Sequence, residues 1–156
     1  MFERQVGIVV SGDTVTVVVA DVPQDHAQPI TVISDTSWSL QKGERPEAYA
    51  VMFRRCVNFM NESDVGRVIL KASSSTRNAA TKALLESAEV RGVVIAAAAS
   101  VVPVTQLAKE RISRHYGERK FDDYCKDDSF WDEHAIGGKL RKNSRAAAML
   151  VIANRG

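Results

Sequence analysis

Cysteine is scarce in this chain, with two in 156 residues: Cys56 in an apolar, helix-like stretch and Cys125 in an acidic one. Neither belongs to a Cys-x-x-Cys or Cys-His spacing, which argues against a zinc site. Cys56 reads as a small core residue, and a nucleophilic Cys125 would need a base brought beside it by the fold. Charge of one sign is also nearly absent. Lys plus Arg number 21 against 19 Asp plus Glu, and a net charge of +2 is too small to announce a polyanionic partner by bulk electrostatics. Long apolar runs are missing too. The longest, Gly92 to Val102, is interrupted by Ser100 and closed by Pro103, well short of the roughly 18 residues that cross a bilayer. The first residues, Met1-Phe2-Glu3-Arg4-Gln5, show no basic stretch leading into an apolar core and a small-residue cleavage site. The expectation is a cytoplasmic protein with no membrane partner and no structural disulfide.

What is present is ordinary for a globular chain: 45% apolar and 26% charged residues. The size suits one domain over 1–156, with no internal repeat and no dividing linker. Gln5 to Val10 and Thr14 to Ala20 are β-branched runs around Ser11-Gly12-Asp13, the pattern of a hairpin. After a Pro-flanked loop, Ile30 to Ser34 starts a third strand running towards Trp38 and Leu40. Pro46 suits a helix start, and Tyr49, Met52, Phe53, Cys56, Val57 and Met60 form one apolar stripe. Gly66 to Lys71 reads as a fourth strand, Ser73-Ser74-Ser75-Thr76 as the cap of a helix reaching Ala88, and Val90 to Ala99 as a fifth, doubly buried strand. Thr105 to Tyr116 reads as helix, Gly117 to Asn143 as a long polar loop with a helical turn near Trp131, and Ser144 as the cap of a last helix. The fold class is α/β: a mixed five-stranded sheet, an antiparallel three-stranded meander followed by β-α-β-α, with helices on both faces.

Three stretches carry candidate chemistry. Lys71, Ser73, Ser74, Ser75 and Arg77 join a strand end to a helix start. Free backbone N–H groups, hydroxyls and cations there suit a phosphate or carboxylate; alternatively the serines only cap the helix while the cations reach water. The spacing is not that of a P-loop. Lys139, Arg141, Lys142 and Arg145 follow the diglycine Gly137-Gly138. Were the last helix to pack beside the fourth strand, these cations and Lys71 would form one positive strip for DNA or RNA phosphates; the alternative is a solvated helix start. Asp122, Asp123, Asp127, Asp128, Asp132 and Glu133 cluster with Tyr124, Phe130, Trp131 and His134. This is no EF-hand, and it reads as a solvated acidic loop or a protein-contact motif. No Gly-x-Ser-x-Gly elbow supports a serine nucleophile.

The element order resembles the ribonuclease H-like fold, in particular the RuvC-like resolvases. The likeness is carried by Val6-Gly7-Ile8-Val9-Val10-Ser11-Gly12, by Val68-Ile69-Leu70-Lys71, and by Arg145-Ala146-Ala147-Ala148-Met149-Leu150-Val151-Ile152-Ala153. For an active member the resemblance implies metal-dependent cutting of nucleic acid, with carboxylates from the first strand, the fourth strand and the last helix. Two divalent ions need such hard oxygen ligands. This sequence has Val9 where the first acid belongs, Lys71 on the fourth strand, and Arg145 with three alanines on the last helix. The expectation is a degenerate member without catalytic residues or cofactor. It would bind nucleic-acid backbone or a protein partner within an assembly, a second copy of itself included. The alternative is a nuclease that recruits Mg²⁺ to Asp13 or to Asp127, Asp128 and Asp132.

Overall fold

A computed structural model describes residues 1–73, 81–116 and 119–155, without the side chains of residues 115 and 116. Strand β1 (Phe2–Ser11) turns through Gly12-Asp13 into β2 (Thr14–Pro23), and β3 (Ile30–Ser39) completes the expected antiparallel meander. In the β2–β3 ladder the register slips between Val19 and Ala20, and Ile33, the residue left out of the pairing, is exposed. Helix α1 (Arg45–Glu62) starts with a proline in its first turn and buries Ala48, Met52, Cys56 and Met60, at every fourth residue. Then β4 (Arg67–Lys71) pairs parallel with β1, matching Val6 to Val68 and Ile8 to Leu70.

Several expectations are corrected after β4. Val90 to Ala99 is not a strand but the second half of α2 (Lys82–Ala99), whose first half takes in the end of the expected helix up to Ala88; residues 74–80 of that expected helix lie outside the described residues. The Thr81 hydroxyl accepts from the Leu84 N–H at 3.2 Å and opens that helix. The run is alanine-rich, which favours helix, and its buried Val90, Val94, Ala97 and Ala98 recur at three- and four-residue steps. A short apolar run has no periodicity that separates a buried strand from a buried helix, and the alanines decide it here. The fifth strand, β5 (Val104–Leu107), falls where the helix was expected to begin; α3 (Lys109–Tyr116) starts after it. The expected long loop holds α4 (Phe121–Lys126), α5 (Asp128–His134) and a two-residue β6 (Ala135–Ile136) before α6 (Lys142–Ala153).

Among the described residues the sheet therefore has six strands, in the order β5-β4-β1-β2-β3-β6. Its faces are two separate cores. Val6, Ile8 and Val10 of β1 point with Leu70 towards α1 and α2. The alternate residues, with Ile69 and Val18, face α6 and the α3, α4 and α5 helices. Helix α6 is buried continuously from Ala147 to Ile152, between the sheet and the smaller helices. It lies so close to β1 that a Cβ on Gly7 would fall on the Ala147 carbonyl oxygen. Among the described residues no helix is long and apolar enough to cross a membrane.

Candidate functional site

The fold brings the end of β4, the end of β1 and the start of α6 to one edge of the sheet. After the last β1–β4 partners, Ile8 and Leu70, the next residues are Val9 and Lys71. Alternation puts both on the α6 face, where Ile69 is buried and Val9 packs against the core. Lys71 is partly buried, its ammonium 5.2 Å from the centroid of the Phe121 ring at the start of α4. Burial, with the neighbouring Lys109 ammonium, lowers its pKa below the usual lysine range, and Asp122 opposes that shift.

Other charged groups gather around it. Lys109, at the start of α3, donates to Asp122 Oδ2 at 3.1 Å. That hydrogen bond holds the Asp122 carboxyl below the usual carboxylate range, aided by the charges of Lys109, Lys71 and Lys142. Arg91 reaches across from α2 and donates from Nη1 to Ser73 Oγ at 2.7 Å and from Nη2 to the Val10 carbonyl at 3.0 Å. It thereby ties the ends of β1 and β4 together, and burial lowers its pKa. Cys125 closes the floor, its thiol pushed up to about 11 chiefly by burial and then by Asp122, its Sγ 3.6 Å from Met149 Sδ. The result is a cationic crevice at the strand ends, where Lys109, Lys71 and Lys142 act on Asp122 and Arg91 acts on Lys71 from α2.

The basic run before α6 divides between three surroundings. Lys142 faces the crevice, close enough to act on Asp122 and Cys125. Arg141 turns towards β3, 3.7 Å from Asp35 Oδ1 and 3.4 Å from Ser37 Oγ. Arg145 is largely buried, donating to the Cys125 carbonyl at 3.0 Å and to Asp128 at 2.7 Å, with its guanidinium over the Trp131 ring. Lys139 is exposed at the rim of a separate hollow beside Trp131 and Asp132. Ser144, expected to cap the helix, lies in its first turn after an uncapped Arg141, and its hydroxyl donates instead to Asp35 at 2.6 Å. Ser73 belongs to the crevice through Arg91, while Ser74, Ser75 and Arg77 lie outside the described residues.

Of the acids weighed as metal ligands, Asp13, Asp127 and Asp128 are engaged by arginines. Asp13 in the β1–β2 turn receives both terminal nitrogens of Arg45, at 3.1 and 3.3 Å. Asp127 caps α5 and pairs with Arg119 at 2.8 Å, Asp128 pairs with Arg145, and Asp132 is exposed. Among the described residues no three His, Cys, Asp or Glu side chains stand together as a metal site. The residues at the crevice, an ammonium and a valine at the β4 and β1 positions, do not fit a divalent cation, which a nearby positive charge repels. Sequence reasoning missed Arg91, inside the stretch read as a strand, Lys109, inside the stretch read as a helix, and Asp122, read as part of a solvated acidic loop or a protein-contact motif. The lone charge of Arg91 between Val90 and Gly92 was the available signal.

No protein-family model matches the sequence, and no curated protein matches it. Solved structures do match the fold. RuvC of Thermus thermophilus, solved in complex with a Holliday junction substrate, aligns with a TM-score of 0.71 at 10% identity over 97% of this chain and 91% of that one. A second Thermus thermophilus RuvC structure gives 0.71 at 12% identity, over 96% and 92% of the two chains. The yeast mitochondrial Holliday junction resolvase Ydc2 gives 0.68 at 12% identity, over 98% and 78%. The chain has the ribonuclease H-like fold, in the form that RuvC and Ydc2 share.

Proposed function

We propose that this chain binds the phosphate backbone of nucleic acid through the crevice at the ends of β1 and β4, and does so without metal-dependent strand cutting. The observation that supports this reading is the partly buried ammonium of Lys71, level with Val9 and within reach of the charges of Lys109 and Arg91, with Lys142 acting on the neighbouring Asp122. Cations held at the edge of a sheet attract phosphate oxygens and release counterions from the polymer. None of them presents a donor–acceptor pattern that distinguishes base pairs, so binding follows backbone shape rather than sequence. Arg141 and Lys139, on the far side of the α6 start, extend the surface a phosphodiester chain can follow. Because the similar structures include RuvC with a Holliday junction and the junction resolvase Ydc2, four-way junction DNA is the ligand of first choice.

Electrophoretic mobility shifts with single-stranded, duplex and four-way junction DNA, with Mg²⁺ or with EDTA, test the proposal. The expected result is a shifted complex in both buffers, with uncut strands on a denaturing gel. Strand cleavage that needs Mg²⁺ and disappears in Asp13→Ala would replace the proposal with the nuclease alternative. Absence of any shifted complex would remove it.

A further inference from the structure

Asp122 is the carboxylate placed against the cationic crevice. It sits one residue after Phe121, whose ring underlies the Lys71 ammonium, and it accepts from Lys109 Nζ at 3.1 Å. Half of its side chain is open to water, with 58% of its surface exposed. It is therefore not a structural ion pair sealed in a core, and pairs of this kind contribute little to stability. It stands where an anion is attracted by several cations at once: Lys109 by direct hydrogen bond, Lys71 and Lys142 through their charges. The neighbouring acid Asp123 is exposed, and the other acids of that stretch have different partners, Arg119 for Asp127 and Arg145 for Asp128.

We propose that Asp122 is a built-in competitor for the crevice, a carboxylate that neutralises Lys109 and Lys71 until a phosphate group takes its place. The inference rests on the proposed backbone binding, which it deepens by assigning a residue that limits affinity at that site. A phosphate oxygen brings the same charge and hydrogen-bond geometry to Lys109 as the carboxylate does, so the two exclude each other. The exposed Asp122 side chain has water to turn into once displaced. Binding then pays for breaking the Lys109–Asp122 pair, and affinity for any backbone phosphate is lower than the cations alone would give.

The test is fluorescence anisotropy with labelled four-way junction DNA across a series of KCl concentrations. It compares the native chain with Asp122→Asn, Lys71→Ala and Glu62→Gln, each first checked for native circular dichroism. Asparagine keeps the shape and the acceptor but removes the charge. Glu62→Gln makes the same change in net charge at the exposed end of α1. Asp122→Asn is expected to tighten binding by about threefold to fivefold at low salt, more than Glu62→Gln does. An Asp122→Asn affinity no greater than that of Glu62→Gln, alongside a weakened Lys71→Ala, overturns the competitor and leaves the backbone reading intact. A Lys71→Ala protein that binds as the native chain does, or no binding by any variant, overturns both.

Discussion

At the scale of single residues the crevice is governed by who neutralises whom. Lys71 carries a lowered pKa because burial removes water from its ammonium and Lys109 repels it, while Asp122 only partly offsets both. A phosphate would complete that balance. Lys71→Ala is expected to weaken junction binding by about fivefold to tenfold at low salt and to make the slope of log K against log salt about one unit shallower, as for one lost phosphate contact. Asp127 is a contrasting case whose role is structural. Its carboxyl is held below the usual carboxylate range by the Arg119 guanidinium and by the Phe130 N–H at the α5 start. A depressed folded-state pKa gives stability that is present above the ordinary aspartate range and is lost as pH falls through the lowered value. The thermal midpoint is thus expected to drop on acidification from neutral pH, and Asp127→Asn, already lower at neutral pH, should drop less. A melting series by circular dichroism checks this.

At the scale of elements, α6 sets where the crevice lies. It packs on β1 at Gly7 and is pinned to β3 by the Ser144 hydroxyl on Asp35 at 2.6 Å. Gly7→Ala forces the helix off the strand and is expected to lower the urea-unfolding free energy by about 3 kcal/mol, at the high end for overpacking. Ser144→Ala leaves a partly buried carboxylate without its donor and should cost about 1–2 kcal/mol in the same measurement. The sequence made much of this level legible. The meander, the stripe of α1 and the short β4 were all visible because hairpin turns and residue periodicity are local signals. The second half of α2 was not, because Val90 to Ala99 is apolar apart from Arg91, so that its exposed Gly92, Ala96 and Ala99 cannot be told by residue type from its buried Val90, Val94, Ala97 and Ala98. β5 was hidden for the opposite reason: four residues, only Leu107 fully buried, have too little pattern to announce a strand, and parallel pairing with β4 supplies what the sequence does not. Gly137, with φ of 105° and no room for a Cβ against the Val32 carbonyl, was visible as a flexible break but not as the strap beside β3.

At the scale of the whole molecule, a near-neutral net charge of +2 hides an uneven distribution. Cations converge on the edge of the sheet where β1, β4 and α6 meet. In the acidic stretch of α4 and α5, Asp122, Asp127 and Asp128 pair with Lys109, Arg119 and Arg145 of the same chain. Lys71 could be singled out from the sequence because it replaces an expected acid at a strand end. Lys142 could be too, from the basic run before α6, but Arg91 and Lys109 could not, because they come from helices whose placement depends on the tertiary fold. The likeness to RuvC and Ydc2 at 10–12% identity speaks for the shared scaffold. The chemistry at the strand ends has to be read from the residues present, and these are mostly cationic. The most direct measurement is the affinity of four-way junction DNA for the native chain and for Lys71→Glu, by fluorescence anisotropy in EDTA over a range of KCl. Native binding that weakens steeply with salt, and a charge-reversed protein weakened by about tenfold or more, is expected. Equal affinity of the two proteins, or binding that appears only when Mg²⁺ is added and ends in cut strands, would contradict the proposed binding of phosphate by these amines.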